Sequence, residues 1–252
     1  MEKIPLVTVE GVCLTYHEPT AETKAIERMS FHIHRGEFVS IVGPSGCGKT
    51  SILSMLAGLI TPSEGSIQIH STKRPGYMLQ HDHLLDWRTI EGNIMLALDV
   101  KHIATEENRA YALSLLDTYG LSEFRYHYPR QLSGGMRQKV ALIRTLAASP
   151  ELLLLDEPFS ALDYQTRLRI ADEIHTILRA EGKTAILVTH DIAEAISMCD
   201  RIYVLSSRPA TIKSTYLIEL SVEGKKTPLL SRKSPEFSKY FDVLWKELEE
   251  NG

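Results

Sequence analysis

The chain has 252 residues, enough for one large or two small domains with a sizeable core. Its 43% hydrophobic and 24% charged content is that of an ordinary soluble globular protein, and a net charge of −4 offers no basic footprint for nucleic acid. Three scattered cysteines (Cys13, Cys47, Cys199), no apolar run near the ~20 residues of a membrane span and no signal-peptide pattern in "MEKIPLVTVEGV" point to a cytosolic protein.

An N-terminal β-rich stretch leads into "FVSIV" (38–42), a β-branched apolar run that reads as a buried strand. After it stands "GPSGCGKTS" (43–51), and then "ILSMLAGL" (52–59), where Ile52, Leu53, Leu56 and Leu59 recur at helical spacing. The loop of Gly43, Pro44, Ser45, Gly46, Cys47, Gly48, Lys49, Thr50 and Ser51 is therefore a strand-to-helix turn. Glycine allows close backbone approach to a bulky group, and a helix N-terminus supplies free N–H donors and partial positive charge for an anion. The spacing Gly43-x4-Gly48-Lys49-Thr50 is the P-loop pattern, in which amides cradle phosphates, the lysine reaches the β/γ oxygens and the hydroxyl binds Mg²⁺. An ordinary glycine-rich turn is the alternative, and the flanking strand and helix disfavour it.

Further on, "SIQIH" (66–70) alternates as a strand, and "GYMLQ" (76–80) is a second one stopping at Gln80. From about 81 to 148 the pattern is helical, with Ala112, Leu115 and Leu116 on one face and Gly120 as a stop. Within it, "YPRQLSGGMRQKVALIRTLAASP" (128–150) sets Ser133 as N-cap before Gly134 and Gly135, with Val140, Leu142, Ile143 and Leu146 as helical core. This second glycine cluster can hold phosphate but lacks a lysine and a magnesium ligand, as a half-site closing over a nucleotide held elsewhere would. "ELLLLDEP" is a buried strand ending at Asp156 and Glu157, "TAILVTH" ends at His190, where Asp191 caps a new helix, and "RIYVLS" (201–206) is the last clear strand. The tail "SPEFSKYFDVLWKEL" reads as an amphipathic helix with Ser234 as N-cap, Pro235 in the first turn and Phe237, Phe241, Leu244 and Leu248 inward.

The P-loop, Gln80, Asp156–Glu157 and His190 each close a buried strand at its carboxyl end, the edge where open parallel α/β sheets bind ligands. Asp156 suits a direct or water-mediated contact with Mg²⁺, and Glu157 suits polarising the attacking water. His190 suits hydrogen bonding to the γ-phosphate, and Gln80 suits linking the metal and the water. The plainer alternatives are a turn after a strand for the acids, a core histidine and a polar strand end.

"LSGGM" at 132–136, "LLLLDEP", "SALD" at 160–163 and "VTHD" at 188–191 together resemble an ATP-binding-cassette ATPase, over residues 6 to 207. The resemblance implies an α/β fold: a P-loop NTPase core with an N-terminal antiparallel β subdomain and an inserted α-helical signature subdomain. The ATPase domain is then 1–230, with the helical part at about 81–148, and 231–252 is a C-terminal helix packed on it. It further implies two cassettes sandwiching two ATP molecules head to tail. Tyr16 would stack on adenine, Lys49 and the loop amides would hold phosphates, and Thr50, Gln80 and Asp156 would serve Mg²⁺. Ser133, Gly134 and Gly135 would act in trans, and Asp163 would link the two sites. Two departures are mild: Lys-Thr-Ser stands for the commoner Lys-Ser-Thr, and Met136 for the wider family's glutamine.

"QHDHLLDWRTIEGNI", "VLSSRP" and "VLWKEL" are similar to the nitrate/sulfonate/taurine import branch, which includes relatives for aromatic or vitamin-precursor substrates. That implies an energy subunit at the inner face of the membrane, bound to a transmembrane permease and served indirectly by a solute-binding protein. The groove for the permease is expected around Leu84, Leu85, Trp87 and Arg88. Two other readings compete: a soluble cassette of translation or DNA repair, which usually has paired cassettes or basic surfaces, and a P-loop kinase or GTPase, which would leave LSGGM, SALD and His190 without a role.

Overall fold

Hydrophobic alternation and short glycine turns build two sheets in the computed structural model, which describes residues 4–18, 21–224 and 226–249. β1 (Val7–Glu18) and β2 (Ala21–Ile33) form a long antiparallel pair, and β3 (Phe38–Val42) runs into α1 (Lys49–Leu56). β4 (Glu64–Ile69) returns to the free side of β1, closing a three-stranded sheet of order β2-β1-β4. β5 (Gly76–Met78) starts the second sheet and precedes three helices, α2 (Ile90–Val100), α3 (Glu106–Thr118) and α4 (Gly134–Leu146). Then come β6 (Leu152–Asp156), α5 (Tyr164–Ala180), β7 (Thr184–Val188), α6 (Ile192–Met198), β8 (Arg201–Leu205) and β9 (Ile212–Leu217). The short α7 (Pro228–Ser231) and α8 (Phe237–Glu249) close the described chain.

The second sheet has the order β5-β6-β7-β3-β8-β9, parallel except for the β9 edge. Every residue of β3, β6 and β7 is buried, as parallel strands covered on both faces require. The period of two divides the leucine run between two cores. Leu153 and Leu155 join the cluster holding Ile94, Leu116 and Leu142 of the helical layer, while Leu152 and Leu154 join the one holding Ile52 of α1 and Val9 and Ile33 of the antiparallel sheet. Each such leucine contributes roughly 1.5–3 kcal/mol by leaving water. A third cluster packs α8 on α6 and β8 through Leu244, Ile196 and Val204.

Several helix starts carry side-chain caps; Ser133 and Asp191 match the caps read from sequence, and Asp163 is a cap that the sequence reading did not assign. Ser133, Asp163 and Asp191 accept from the N–H groups of Met136, Thr166 and Glu194, each cap worth about 1 kcal/mol. The expected cores of α3 and α4 (Ala112, Leu115, Leu116; Val140, Leu142, Ile143, Leu146) are all buried.

Some boundaries differ from the sequence reading. The helix after the P-loop begins at Lys49 and stops at Leu56, so Leu59 lies outside it and is 69% exposed. Gly58 takes φ 72° there and turns the chain away, the Leu59 N–H returning to the Ser54 carbonyl at 2.9 Å. β5 and β7 each stop two residues before Gln80 and His190, which therefore stand on the loops just past the sheet edge. Residues 81–89 are irregular rather than helical. Ser234 does not cap α8: its hydroxyl is bonded to the Glu236 carboxylate, and the helix starts only at Phe237.

Candidate nucleotide site

Gly43 leaves the buried end of β3 beside β8, where a Cβ on it would meet Leu205 Cβ at 2.9 Å, so the loop has no room for a side chain. Gly46 and Gly48 take φ 72° and 121°, conformations that side-chain-bearing residues rarely adopt. Lys49 is 8% exposed, and its ammonium donates to the Gly43 and Pro44 carbonyls at 2.8 Å each, lying inside the loop. Ser45, Gly46 and Thr50 are exposed at the loop surface. Ser51 meets the hydroxyl of Tyr16 at 2.9 Å, which brings the half-exposed β1 aromatic against the helix that follows the loop.

Cys47, placed in the loop by its sequence, turns its side chain away from the loop surface. Its thiol is 1% exposed and packs inward with the core of the antiparallel sheet, leaving only its backbone for a ligand. Burial pushes the thiol pKa up, against the lowering effect of the Lys49 and Arg208 charges. A thiolate is the reactive form, so alkylation of the folded protein is expected to spare Cys47 until denaturant is added, which mass spectrometry of the modified peptide measures. Rapid labelling under native conditions would contradict the inward placement.

The strand-end acids lie across from the loop. Asp156 is buried, and desolvation raises its pKa, opposed by hydrogen bonds from Thr50 and Tyr77. Thr50 Oγ1 donates to Asp156 Oδ1 at 3.4 Å and Tyr77 hydroxyl to Oδ2 at 3.3 Å. Two hard oxygen donors facing one another, one a desolvated carboxylate, fit Mg²⁺, which takes one or two protein ligands and completes its shell with phosphate oxygens and water. Glu157 takes φ 45°, a strained setting for a residue with a side chain, and is pinned there by its N–H to the Val188 carbonyl at 2.8 Å and by Ser160 Oγ to its own carbonyl at 3.0 Å. Gln80 Nε2 donates to Glu157 Oε2 at 3.1 Å, and His190 Nδ1 lies 3.2 Å from the same oxygen. Gln80 thus meets Glu157 directly, while Asp156 is held by Thr50 and Tyr77.

The second glycine cluster forms a separate hollow of about 460 Å³, lined by Ser133, Gly134, Gly135, Asp163 and Thr166 among others, with no residue of the P-loop in its wall. A Cβ on Gly135 would meet Thr166 Cγ2 at 3.0 Å, so glycine lets α4 approach α5 closely. Ser133 and Asp163 spend one side-chain oxygen each on their helix caps.

Three participants escaped the sequence reading. Tyr77 is one; it sits on β5 and its only signal was position near the ligand edge. The second is a buried group behind His190: Thr189 Oγ1 donates to Glu194 Oε2 at 2.7 Å, and Arg167 donates to the Leu162 carbonyl at 3.0 Å and to Asp191 Oδ2 at 3.5 Å, joining the SALD loop to the His190 loop. The third is Arg208 beyond β8, which donates to the Gly46 carbonyl.

Glu194 is pushed up to about 7, first by burial and then by the Asp191 charge, against the Thr189 hydrogen bond and the Arg167 and Arg232 charges. A raised carboxyl pKa means that the folded protein binds this proton more tightly than the unfolded chain. Its stabilising share is therefore full below about pH 4.5 and is lost as pH rises toward 7. Glu194→Gln, which does not titrate, is expected to gain ~1–3 kcal/mol relative to the parent between pH 5 and pH 8, read by urea denaturation at both values. A gap that stays constant with pH would remove the linkage.

The groove expected around Leu84, Leu85, Trp87 and Arg88 is not a single surface. Leu84 is buried in the helical core, Leu85 is tied to Asn93 at 2.7 Å, and Trp87 alone stands out at 75% exposure. An apolar hollow of about 390 Å³ lies instead between α1, β5 and α2, lined by Leu59, Tyr77, Ala97 and Val100 among others.

Among the described residues no helix is long and apolar enough to cross a membrane. A family model described as ABC transporter matches residues 26–160. The chain is 46% identical to an uncharacterized ABC transporter ATP-binding protein, YtlC, of Bacillus subtilis, over 95% of its own length and 94% of that protein's. It is 39% identical to the nitrate import ATP-binding protein NrtD of Synechocystis, covering 87% and 86%, and 38% identical to the taurine import ATP-binding protein TauB of Yersinia pestis, covering 90% and 92%. Its fold is similar to the dimeric ATP-binding cassette MJ0796 in a post-hydrolysis state bound to ADP and Pi, with a TM-score of 0.73 and 31% identity over 84% of this chain and 99% of that one. Matched along nearly its whole length by cassette relatives and carrying their P-loop fold, this chain belongs to the ABC transporter family as one of its ATP-binding, ATP-hydrolysing subunits.

Proposed function

We propose that the chain is the energy-coupling subunit of an importer for a small solute of the nitrate, sulfonate, taurine or vitamin-precursor kind, acting as a head-to-tail pair of copies with ATP and Mg²⁺. The observation behind this is that the two phosphate-binding glycine clusters occupy separate surfaces of one molecule, with the lysine and carboxylates on one and the Ser133 helix start on the other. A second copy turned about a twofold axis would bring each cluster over the other's nucleotide, and the solved dimers of a similar cassette support that arrangement. The import names of two relatives favour transport over a soluble role in translation or repair. On the same reading residues 1–230 are the ATPase domain, 81–148 its helical subdomain and 231–252 an added helix, of which 1–3 and 250–252 lie outside the described residues.

In each composite site, Tyr16 stacks on the adenine and the loop amides with Lys49 hold the phosphates. Thr50, Asp156 and Gln80 would hold Mg²⁺, which would supply positive charge to offset that of the phosphates. Glu157 takes a proton from the attacking water as its oxygen bonds to the γ-phosphorus and the bond to the β–γ bridging oxygen breaks, ADP leaving with that electron pair. His190 steadies the γ-phosphate and, at 3.2 Å from Glu157, its base as well. Ser133, Gly134 and Gly135 of the second copy complete the phosphate shell, and Asp163 joins the two sites.

Paired sites make the specific ATPase activity fall on dilution, with the rate tending to the square of protein concentration. A specific activity that stays constant down to monomer, by light scattering, would overturn the pair. The permease is placed in the hollow that Leu59 and Val100 open, whose wall includes the Tyr77 that bonds Asp156. On this reading the membrane partner, at the cytoplasmic face of the membrane, lies one side chain from Asp156. Val100→Glu is expected to lower co-purification with the co-expressed permease about tenfold or more while ATP affinity holds.

A further inference from the structure

We propose that Arg208 is a positioning residue of the phosphate loop, holding the Gly46 peptide so that the neighbouring amide faces the nucleotide phosphates. The inference rests on nucleotide binding at the P-loop and deepens it. "VLSSRP" (204–209) begins with the last two residues of β8, the strand beside β3, and so leaves the sheet at the same edge as the loop. Arg208 Nε donates to the Gly46 carbonyl at 3.1 Å, and Nη2 donates to the same oxygen. Among the described residues, no side chain that the sequence reading assigned to the site is hydrogen-bonded to this carbonyl.

The peptide geometry explains what that fork does. A trans peptide is planar with its C=O and N–H on opposite edges, so a Gly46 carbonyl turned toward Arg208 turns the Cys47 N–H the other way. On that inner side the Pro44 carbonyl accepts from Cys47 N–H at 3.3 Å and from Lys49 Nζ at 2.8 Å. The Cys47 amide and the Lys49 ammonium therefore share one face of the loop. Gly46 at φ 72° closes the Pro44–Cys47 turn, and the Arg208 fork on its carbonyl adds a contact from outside the loop that holds the same conformation.

Arg208 is itself anchored. Ala210 is fully buried and pairs with β2, its N–H to the Ala25 carbonyl at 2.9 Å and its carbonyl to the Glu27 N–H at 3.0 Å. Ser206 and Thr211 close the loop with backbone and hydroxyl bonds at 3.0 Å. Ala25 and Ile26 in turn lie 3.5 Å from where a Cβ on Gly48 would sit, so one strand backs both segments. The guanidinium also adds a permanent positive charge beside an anion site.

Titration of the full-length protein with ATP and ADP, together with steady-state hydrolysis, tests this. Arg208→Ala is expected to raise the KM for ATP and the Kd for ADP by about tenfold, with kcat within about twofold, because the loop geometry is lost and the base and metal ligands are not. Arg208→Lys, which keeps the charge and loses the fork, is expected to fall between alanine and the parent. A KM within about twofold of the parent in Arg208→Ala, a fall in kcat alone, or a lysine variant no better than alanine would overturn the proposal. Lys49→Ala run alongside separates the two readings: if it too keeps full affinity, the P-loop assignment fails, whereas its loss with Arg208→Ala unchanged removes Arg208 alone.

Discussion

Glu157→Gln is expected to lower ATP turnover by about 10²–10⁴-fold while leaving ATP affinity close to that of the parent. The amide keeps the size and shape of the carboxylate and can still meet Gln80 and His190 within the same reach, 3.1 and 3.2 Å in the parent. It cannot take a proton from water. Binding depends on the loop and Lys49, which the substitution does not touch, so ATP is held without being consumed and the paired form accumulates. Phosphate release and size-exclusion chromatography in ATP read the two halves of this expectation. Turnover within tenfold of the parent would take the base role from Glu157.

Lys49→Ala has the second large effect, on binding. The ammonium is buried inside the loop with two carbonyl partners, so its stem is already placed and little side-chain freedom is lost when phosphate oxygens become available. Removing one partner of a buried charged pair costs about 2–5 kcal/mol, or roughly 30-fold and upward in Kd. Lys49→Arg is not expected to rescue it, because a planar guanidinium needs more room than the site of a side chain only 8% exposed offers. Isothermal titration with ATP checks both variants, and an alanine variant binding within threefold of the parent would remove the lysine from the cradle.

Much of this was legible because periodicity and chemistry coincided. "LLLLDEP" announces both a strand buried on two faces and the acids at its end, and "LSGGM" announces a helix capped by Ser133. What escaped depends on direction rather than on residue type. Sequence places Cys47 within the loop but cannot tell that its thiol turns into the core. Leu84 and Trp87 look alike as apolar neighbours of Gln80, yet one is packed under the helices and the other faces solvent. Arg208 lies 162 positions from Gly46 in sequence, and only the pairing of β8 with β3 brings them together. β7 stops two residues short of His190, where the Asp191 N–H donates to the Thr189 hydroxyl at 3.0 Å and turns the chain.

The left-handed backbone at Glu157 also limits which replacements can be informative there. Valine, threonine or isoleucine would clash with their own carbonyl at φ 45°, so such variants would misplace the Val188 junction and lose function for reasons unrelated to proton transfer. Asparagine and aspartate tolerate the conformation; aspartate differs from the parent mainly in reach, and asparagine in charge as well. A series through unbranched polar residues therefore measures chemistry, while a β-branched series measures fit, and a scan that mixes them would blur the two.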